Sequence, residues 1–299
     1  MRAVILAAAA GVLAACAGSV TTAASAGPAP QEAQVAAPAT PVVDDARVVF
    51  PASVQQGALV IGKVPAASRV RHAGRDLRVT GDGSVAFGVA RDQSGPVHVE
   101  VTGRDGRART IEIEVTPRDW PIERVNGVPG KTVKPPPAIA ARIAREQAAV
   151  SAARTRDDAR TGFAQHFVRP VEGRISGRFG NQRIYNGTPG AAHSGMDIAA
   201  PNGTPVKAPA SGVVTFAGDL YLTGGTILLD HGHGVSSNFL HLSRMDVRVG
   251  DVVEQGQVIG AVGATGRATG PHLHWGMNWF DVRVDPQALL DPAGNAPPR

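Results

Sequence analysis

Five side chains in the last third of the sequence have the types and spacing of a metal-dependent hydrolytic centre. They are His193 and Asp197 in HSGMD, His241 in FLHLS, and His272 and His274 in GPHLHWG. In a strand, residues two apart point to the same face, roughly 6–7 Å from each other, so His272 and His274 can look into one cleft. On a helix they would diverge, and the flanking Leu273, Trp275 and Met277 favour the strand. His193 and Asp197 are four apart, with Gly195 between them and Pro201 beyond, a pattern that predicts a loop entering a short strand. Imidazole and carboxylate donors together suit a borderline metal such as zinc. Three protein ligands with an open fourth position make a catalytic rather than a structural site. Spacing alone leaves open which of the five would bind metal and which would serve the substrate.

The remaining histidines are read as structural. His72 and His98 have no spaced partner, and His166 stands alone. His231 and His233 form a second H-x-H, but DHGHG reads as a glycine-bounded turn, so the shared-face argument does not apply to them. No GxSxG, Walker or Rossmann pattern is present, and the glycines of GAVGATGRATG fit turns better than a phosphate loop.

The elements that must position these residues are short strands. From residue 169 to 292 the chain alternates apolar runs with Gly-containing turns, as in PVKAPASGVVTFAG, TILLDHGHG and DVVEQGQVIGAVG, which marks one β domain. Residues 46–117 hold a second set of runs, RVVF, GALVIG, VAFGVA, PVHVEV and TIEIEV, punctuated by turn signals at GDG and GRDG. They predict a small β-sandwich-like domain without chemistry of its own. Between the two, residues 118–168 turn proline-rich and then helix-forming over AIAARIAREQAAVSAARTRDDAR. This predicts a linker helix of about five turns with a narrow apolar stripe of Ile139, Ile143 and Val150 and a solvated side carrying Arg142, Arg145 and Glu146. With 36 Gly, 23 Pro and only 4% aromatic residues among 299, the fold class is mainly β. The net charge of +5 comes from scattered residues with no interleaved stacking aromatics, so nucleic acid is excluded as a partner.

The N-terminus reads as an address. Residues 1–26 have a short positive start and an apolar run too short to span a bilayer, the form of an export signal. Leu13-Ala14-Ala15-Cys16 resembles a bacterial lipobox, which would leave Cys16, the sole cysteine, lipidated and anchored to a membrane. Ala24-Ser25-Ala26 offers a competing cut that would release a mature protein starting at Gly27. The destination is the bacterial periplasm or cell envelope, as an outer-membrane lipoprotein in the first case. Residues 27–45 read as a disordered tether and 293–299 as a disordered tail.

The order HSGMD, APNGTPVKAPASGVV, DHGHGVSSNFLHLS, GDVVEQGQVIG and GPHLHW resembles the lysostaphin-like, LytM-type zinc metalloendopeptidases, over about residues 170–290. The resemblance implies the duplicated-hybrid-motif fold of antiparallel β-strands and Zn2+ as cofactor. It also implies a metal set of His193, Asp197 and His274, with His241 and His272 catalytic beside the metal. The implied substrate is the peptide crosslink of peptidoglycan, with its stem peptides as partners. Relatives that have lost ligands act as wall-binding activators of other hydrolases. That alternative function would show itself as missing ligands, and all five positions are present here. A zinc hydrolase of another extracellular peptide is separable only by comparing substrates. The chain departs from the pattern at His233, where the family often carries Asn, and at Trp275.

Overall fold

A computed structural model describes residues 48–290. The expected export signal 1–26 with its lipobox, the tether 27–45 and the tail 293–299 lie outside the described residues. Among the described residues no helix is long and apolar enough to cross a membrane.

The C-terminal half is organised on one large sheet. Its strands run in the order Val252–Val253, Gly212–Leu220, Gly224–Gly232, Val235–Leu242, His272–Trp279, Gly195–Ala199 and Arg174–Gly177, with Val282–Val284 added to His272–Trp279. Every one of these pairings is antiparallel. The alternation of His272–Trp279 sorts its two faces. Leu273, Trp275 and Met277 are fully buried on one side, and His272, His274, Gly276 and Asn278 share the other. Trp275 lies opposite Phe239, and both are fully buried. Removing the indole would cost about 3–5 kcal/mol.

The N-terminal strands form a five-stranded sheet and a two-stranded sheet of Leu59–Lys63 with Ser84–Gly88, as the mainly β reading anticipates. GRDG is the turn between Val97–Thr102 and Ala108–Thr116, paired in antiparallel register. In the first of these Val97, Val99 and Val101 are buried while His98 and Glu100 are not. These strands share one hydrophobic cluster with the large sheet. Phe87 meets Trp279 edge to face at 6.5 Å, and Arg118 Nη1 bonds Asp285 Oδ2 at 2.8 Å. His72 is structural: its ring stacks on Phe87 and bonds the His98 carbonyl oxygen through Nδ1.

The Pro-rich stretch between the two β regions contributes a strand. Ile122–Val125 pairs in parallel with Gln182–Tyr185, which in turn pairs with Thr188–Ala192. The helix follows at Pro137–Ala153, started by proline at its first position, where the missing N–H removes a donor that would have no partner. It packs on the strand Gly212–Leu220. Arg142 and Arg145 are exposed as expected, but Glu146 is half-buried in line with Ile139, Ile143 and Val150. Its carboxylate explains the difference, because it accepts from Arg142 Nε at 2.6 Å and from the Tyr221 backbone N–H at 2.8 Å.

Of the second H-x-H, only His233 lies in the turn, at φ 54°, while His231 belongs to the strand Gly224–Gly232. His231 is fully buried and bonded to the Ser211 carbonyl and the Ser237 hydroxyl.

Candidate metal centre

Strand register brings the first residues together. Asp197, in Gly195–Ala199, lies directly opposite His274, and Ala199 lies opposite His272. Directly opposed residues of an antiparallel pair project to the same face. His193 precedes this strand by two residues, its N–H bonded to the Asn181 carbonyl, so the chain enters the sheet with the imidazole turned onto that same face. Gly195 is required there, since a Cβ would stand 2.4 Å from the Trp275 carbonyl oxygen.

Three donor atoms converge. Asp197 Oδ1 is 3.0 Å from His193 Nε2 and 2.8 Å from His274 Nδ1, and the two nitrogens are 2.9 Å apart. All three residues are buried. The tautomer of His193 follows from its other nitrogen: Nδ1 faces the Arg178 carbonyl oxygen at 2.9 Å, which can only accept, so the proton sits there and Nε2 presents a lone pair. Burial pushes His274 down to about 4, keeping it neutral. Burial opposes the charge of Asp197, but its bonds to His193 and His274 outweigh this and hold the carboxyl well below the usual carboxylate range. A carboxylate and imidazole lone pairs crowded at these distances suit a cation at their centre. Tetrahedral zinc with bonds of about 2.0 Å places its ligand atoms about 3.3 Å apart. The donor set therefore fits zinc.

The other two histidines stand beside this cluster. The rings of His241 and His272 are 4.8 Å apart, His241 is 6.4 Å from the ring of His274, and His272 Nε2 is 3.9 Å from Asp197 Oδ1. His241 takes a left-handed backbone, φ 64°, near the end of its strand. Such a conformation in a residue with a side chain costs on the order of 1–3 kcal/mol and clusters at functional positions. Both rings are oriented alike: His241 Nδ1 faces the Thr265 carbonyl and His272 Nδ1 the Gly270 carbonyl, each at 2.8 Å, which leaves Nε2 as the free lone pair. Burial, with repulsion from His272 and His274, pushes His241 down to about 3. All five residues singled out by spacing thus meet in one place.

A supporting arm was not visible in the motifs. Arg183 Nη2 bonds Asp197 Oδ2 at 2.6 Å, Arg183 Nε bonds Glu123 Oε2 at 3.0 Å, and Glu123 Oε1 accepts from Asn181 Nδ2 at 2.7 Å. Burial works against the charge of Arg183, but the Asp197 carboxylate more than offsets it and raises the guanidinium further. The only sequence signal was the alternation of QRIY, which places Arg183 and Tyr185 on one face of a strand.

Residues 191–286 match Peptidase family M23. The crystal structure of a putative peptidase M23 from Pseudomonas aeruginosa is similar over 79% of this chain and 94% of its own, at 33% identity and a TM-score of 0.62. The DD-carboxypeptidase/endopeptidase Mpg of Neisseria meningitidis is 45% identical over 97 residues, covering 32% of this chain and 21% of that protein. The peptidoglycan DD-endopeptidase ShyA of Vibrio cholerae is 42% identical over 103 residues, covering 34% and 24% respectively. The chain thus spans about a fifth to a quarter of the length of these curated relatives. On the convergent geometry and the extent of these likenesses, the chain belongs to peptidase family M23.

Proposed function

We propose that this chain is an exported zinc metalloendopeptidase that hydrolyses peptide crosslinks of bacterial peptidoglycan. The observation that carries the reading is the direct opposition of Asp197 and His274 in the sheet, with His193 Nε2 closing the triangle at 2.9–3.0 Å. The similarity to proteins named as peptidoglycan DD-endopeptidases supports the substrate class.

In this reading His193 Nε2, Asp197 Oδ1 and His274 Nδ1 hold the metal. A bound zinc supplies Lewis acidity for the scissile carbonyl and lowers the pKa of a coordinated water from about 16 to about 7. His241 and His272 do the proton work. Each is anchored through Nδ1 to a backbone carbonyl, so each can take a proton only at Nε2, the atom turned toward the cleft. One accepts the proton of the attacking water at Nε2 and returns it to the leaving amine, while the other takes a proton from solvent at Nε2, donates that N–H to the developing oxyanion and gives the proton back to solvent on product release. Arg183 fixes the Asp197 rotamer and thereby keeps Oδ1 directed at the two imidazoles.

Export through residues 1–26 puts the enzyme on the same side of the membrane as its substrate, with Cys16 as the anchor if the lipobox is cleaved. Labelling with a radioactive fatty acid, lost on Cys16→Ser, tests the anchor. The activity is tested by digesting purified sacculi with the mature protein, with and without a chelator, and weighing the released fragments by mass spectrometry. Zinc-dependent release of fragments cut at the crosslink is expected, and an unchanged wall at restored zinc overturns the assignment.

A further inference from the structure

The helix Pro137–Ala153 does not lie flat on the sheet. Between them is a cavity of about 360 Å³, with Ile143 and Val150 on the helix side and Leu228 on the sheet side. Two arginines line it, Arg154 at the C-terminal cap of the helix and Arg283 in the strand Val282–Val284. Arg283 pairs in register with Asn278, two steps of alternation from His274 along the adjacent strand, and so projects to the face that carries the metal centre. It also lines the adjoining cavity of about 230 Å³ that reaches His193, His241 and His274. The two spaces therefore meet at Arg283 and form one groove running from the metal centre beneath the helix.

Neither guanidinium has an acceptor among the described residues. The Nε of Arg154 is buried without a hydrogen-bond partner. Burial and the nearby charge of Arg283 push Arg154 down to about 10, the opposite of what a carboxylate neighbour would do. The acidic residue in the wall, Glu146, is already committed, one oxygen to Arg142 and the other to the Tyr221 N–H. Arg154 is half-buried and Arg283 is exposed, and neither is paired among the described residues, so both guanidinium groups keep N–H donors available to an incoming anion. Two unpaired guanidinium forks lining one space can take a carboxylate in paired N–H···O bonds.

We propose that Arg154 and Arg283 form a carboxylate subsite, at the end of the cleft away from His272, which receives a free carboxylate of an acidic peptide substrate while Ile143, Val150 and Leu228 take its aliphatic part. The assignment of this peptide to peptidoglycan rests on the proposed function above. The helix is then one wall of the substrate groove, and the subsite sets which end of the peptide faces the metal.

The test measures binding to the full-length, zinc-loaded chain of a stem tetrapeptide, which has no crosslink to cut, with its carboxylates free or all amidated. The free acid is expected to bind at least roughly tenfold more tightly, the scale of one charge-assisted pair. This preference should fall to near unity in Arg283→Gln and in Arg154→Gln and be partly restored in Arg283→Lys. Arg283 is an exposed residue, so its variants keep the inference testable should Arg154→Gln fail to fold. Equal binding of the two peptides by the wild type, or a preference that survives in the folded variants, overturns the subsite. Sacculi digested in parallel separate the two readings. Wall cleavage with no carboxylate preference removes the subsite and leaves the hydrolase, whereas a preference lost in the variants without wall cleavage does the reverse.

Discussion

Arg183 Nη2 lies 2.6 Å from Asp197 Oδ2, on the oxygen that does not face His193 or His274. The guanidinium fixes the carboxylate rotamer but also brings a positive charge toward a site for a cation, and the two effects oppose each other. Partners that orient metal ligands are usually worth 10–100-fold in affinity. Arg183→Met is accordingly expected to weaken zinc binding by about that factor, and Glu123→Gln by less, since it acts one bond further out. Competition with a zinc-selective dye measures both. Tighter binding in Arg183→Met would mean that repulsion, not orientation, dominates.

The two histidines of H-x-H should part company on substitution. His274→Ala removes a donor from the cluster of three and is expected to lose bound zinc. His272→Ala leaves that cluster whole, so it should keep zinc yet lose wall-hydrolysing activity, by about 10²–10⁴-fold for a group that transfers protons. Metal content by atomic emission beside a rate on sacculi reads both. Equal zinc loss in the two variants refutes the division of roles.

Two glycines next to the cluster should respond differently to an added methyl group. At Gly195 the new Cβ meets backbone, the Trp275 carbonyl at 2.4 Å, which cannot retreat. Gly195→Ala should lose about 1–3 kcal/mol or more of stability. At Gly177 the Cβ meets side chains, Asp197 Oδ2 at 2.5 Å and Arg183 Nη2 at 2.6 Å. Gly177→Ala should fold but bind zinc more weakly, because the pair has to separate. Urea melts and zinc titrations of both variants decide this, and a Gly177→Ala protein with native zinc affinity contradicts the orienting role of Arg183.

His231 builds acid sensitivity into the core. Burial pushes it down to about 4 from its usual 6.5, so the unfolded chain takes up the proton first as the pH falls. Its contribution is intact above about pH 6.5 and declines as the pH drops toward 4, by about 3 kcal/mol in all. In His231→Gln the urea-derived stability should start lower at pH 7 but fall less steeply between pH 6.5 and 4.5. Parallel pH curves for wild type and variant would place the acid sensitivity elsewhere.

The five residues were legible because their spacing maps directly onto sheet geometry: H-x-H needs only the two-residue repeat, and HSGMD only a loop that runs into a strand. Strand placement was readable for the same reason, as in TIEIEV, where Ile113 is buried and Glu112 and Glu114 are exposed. Pairing between distant segments was not. Nothing in PIERV announces that Glu123 will sit beside Arg183, because parallel pairing across some sixty residues leaves no local period. Glu146 was misplaced for a related reason. It occupies the packed stripe of its helix, but a reading that looks only for apolar residues passes over a carboxylate whose partners, Arg142 and the Tyr221 N–H, make its burial affordable. The left-handed backbone of His241 likewise has no signature, since tertiary contacts impose it.

The strand Ile122–Val125 bears on how portable this M23 domain is. The segment that matches the family begins at residue 191, yet the guanidinium steadying Asp197 is itself held by Glu123, on a strand that closes the edge of Gln182–Tyr185. A fragment excised at residue 169 would carry the whole cluster of three donors and still expose that edge to self-association, with Arg183 held by Asp197 but no longer by Glu123. For anyone grafting this M23 domain into another protein, the smallest transplantable cassette starts upstream of Trp120.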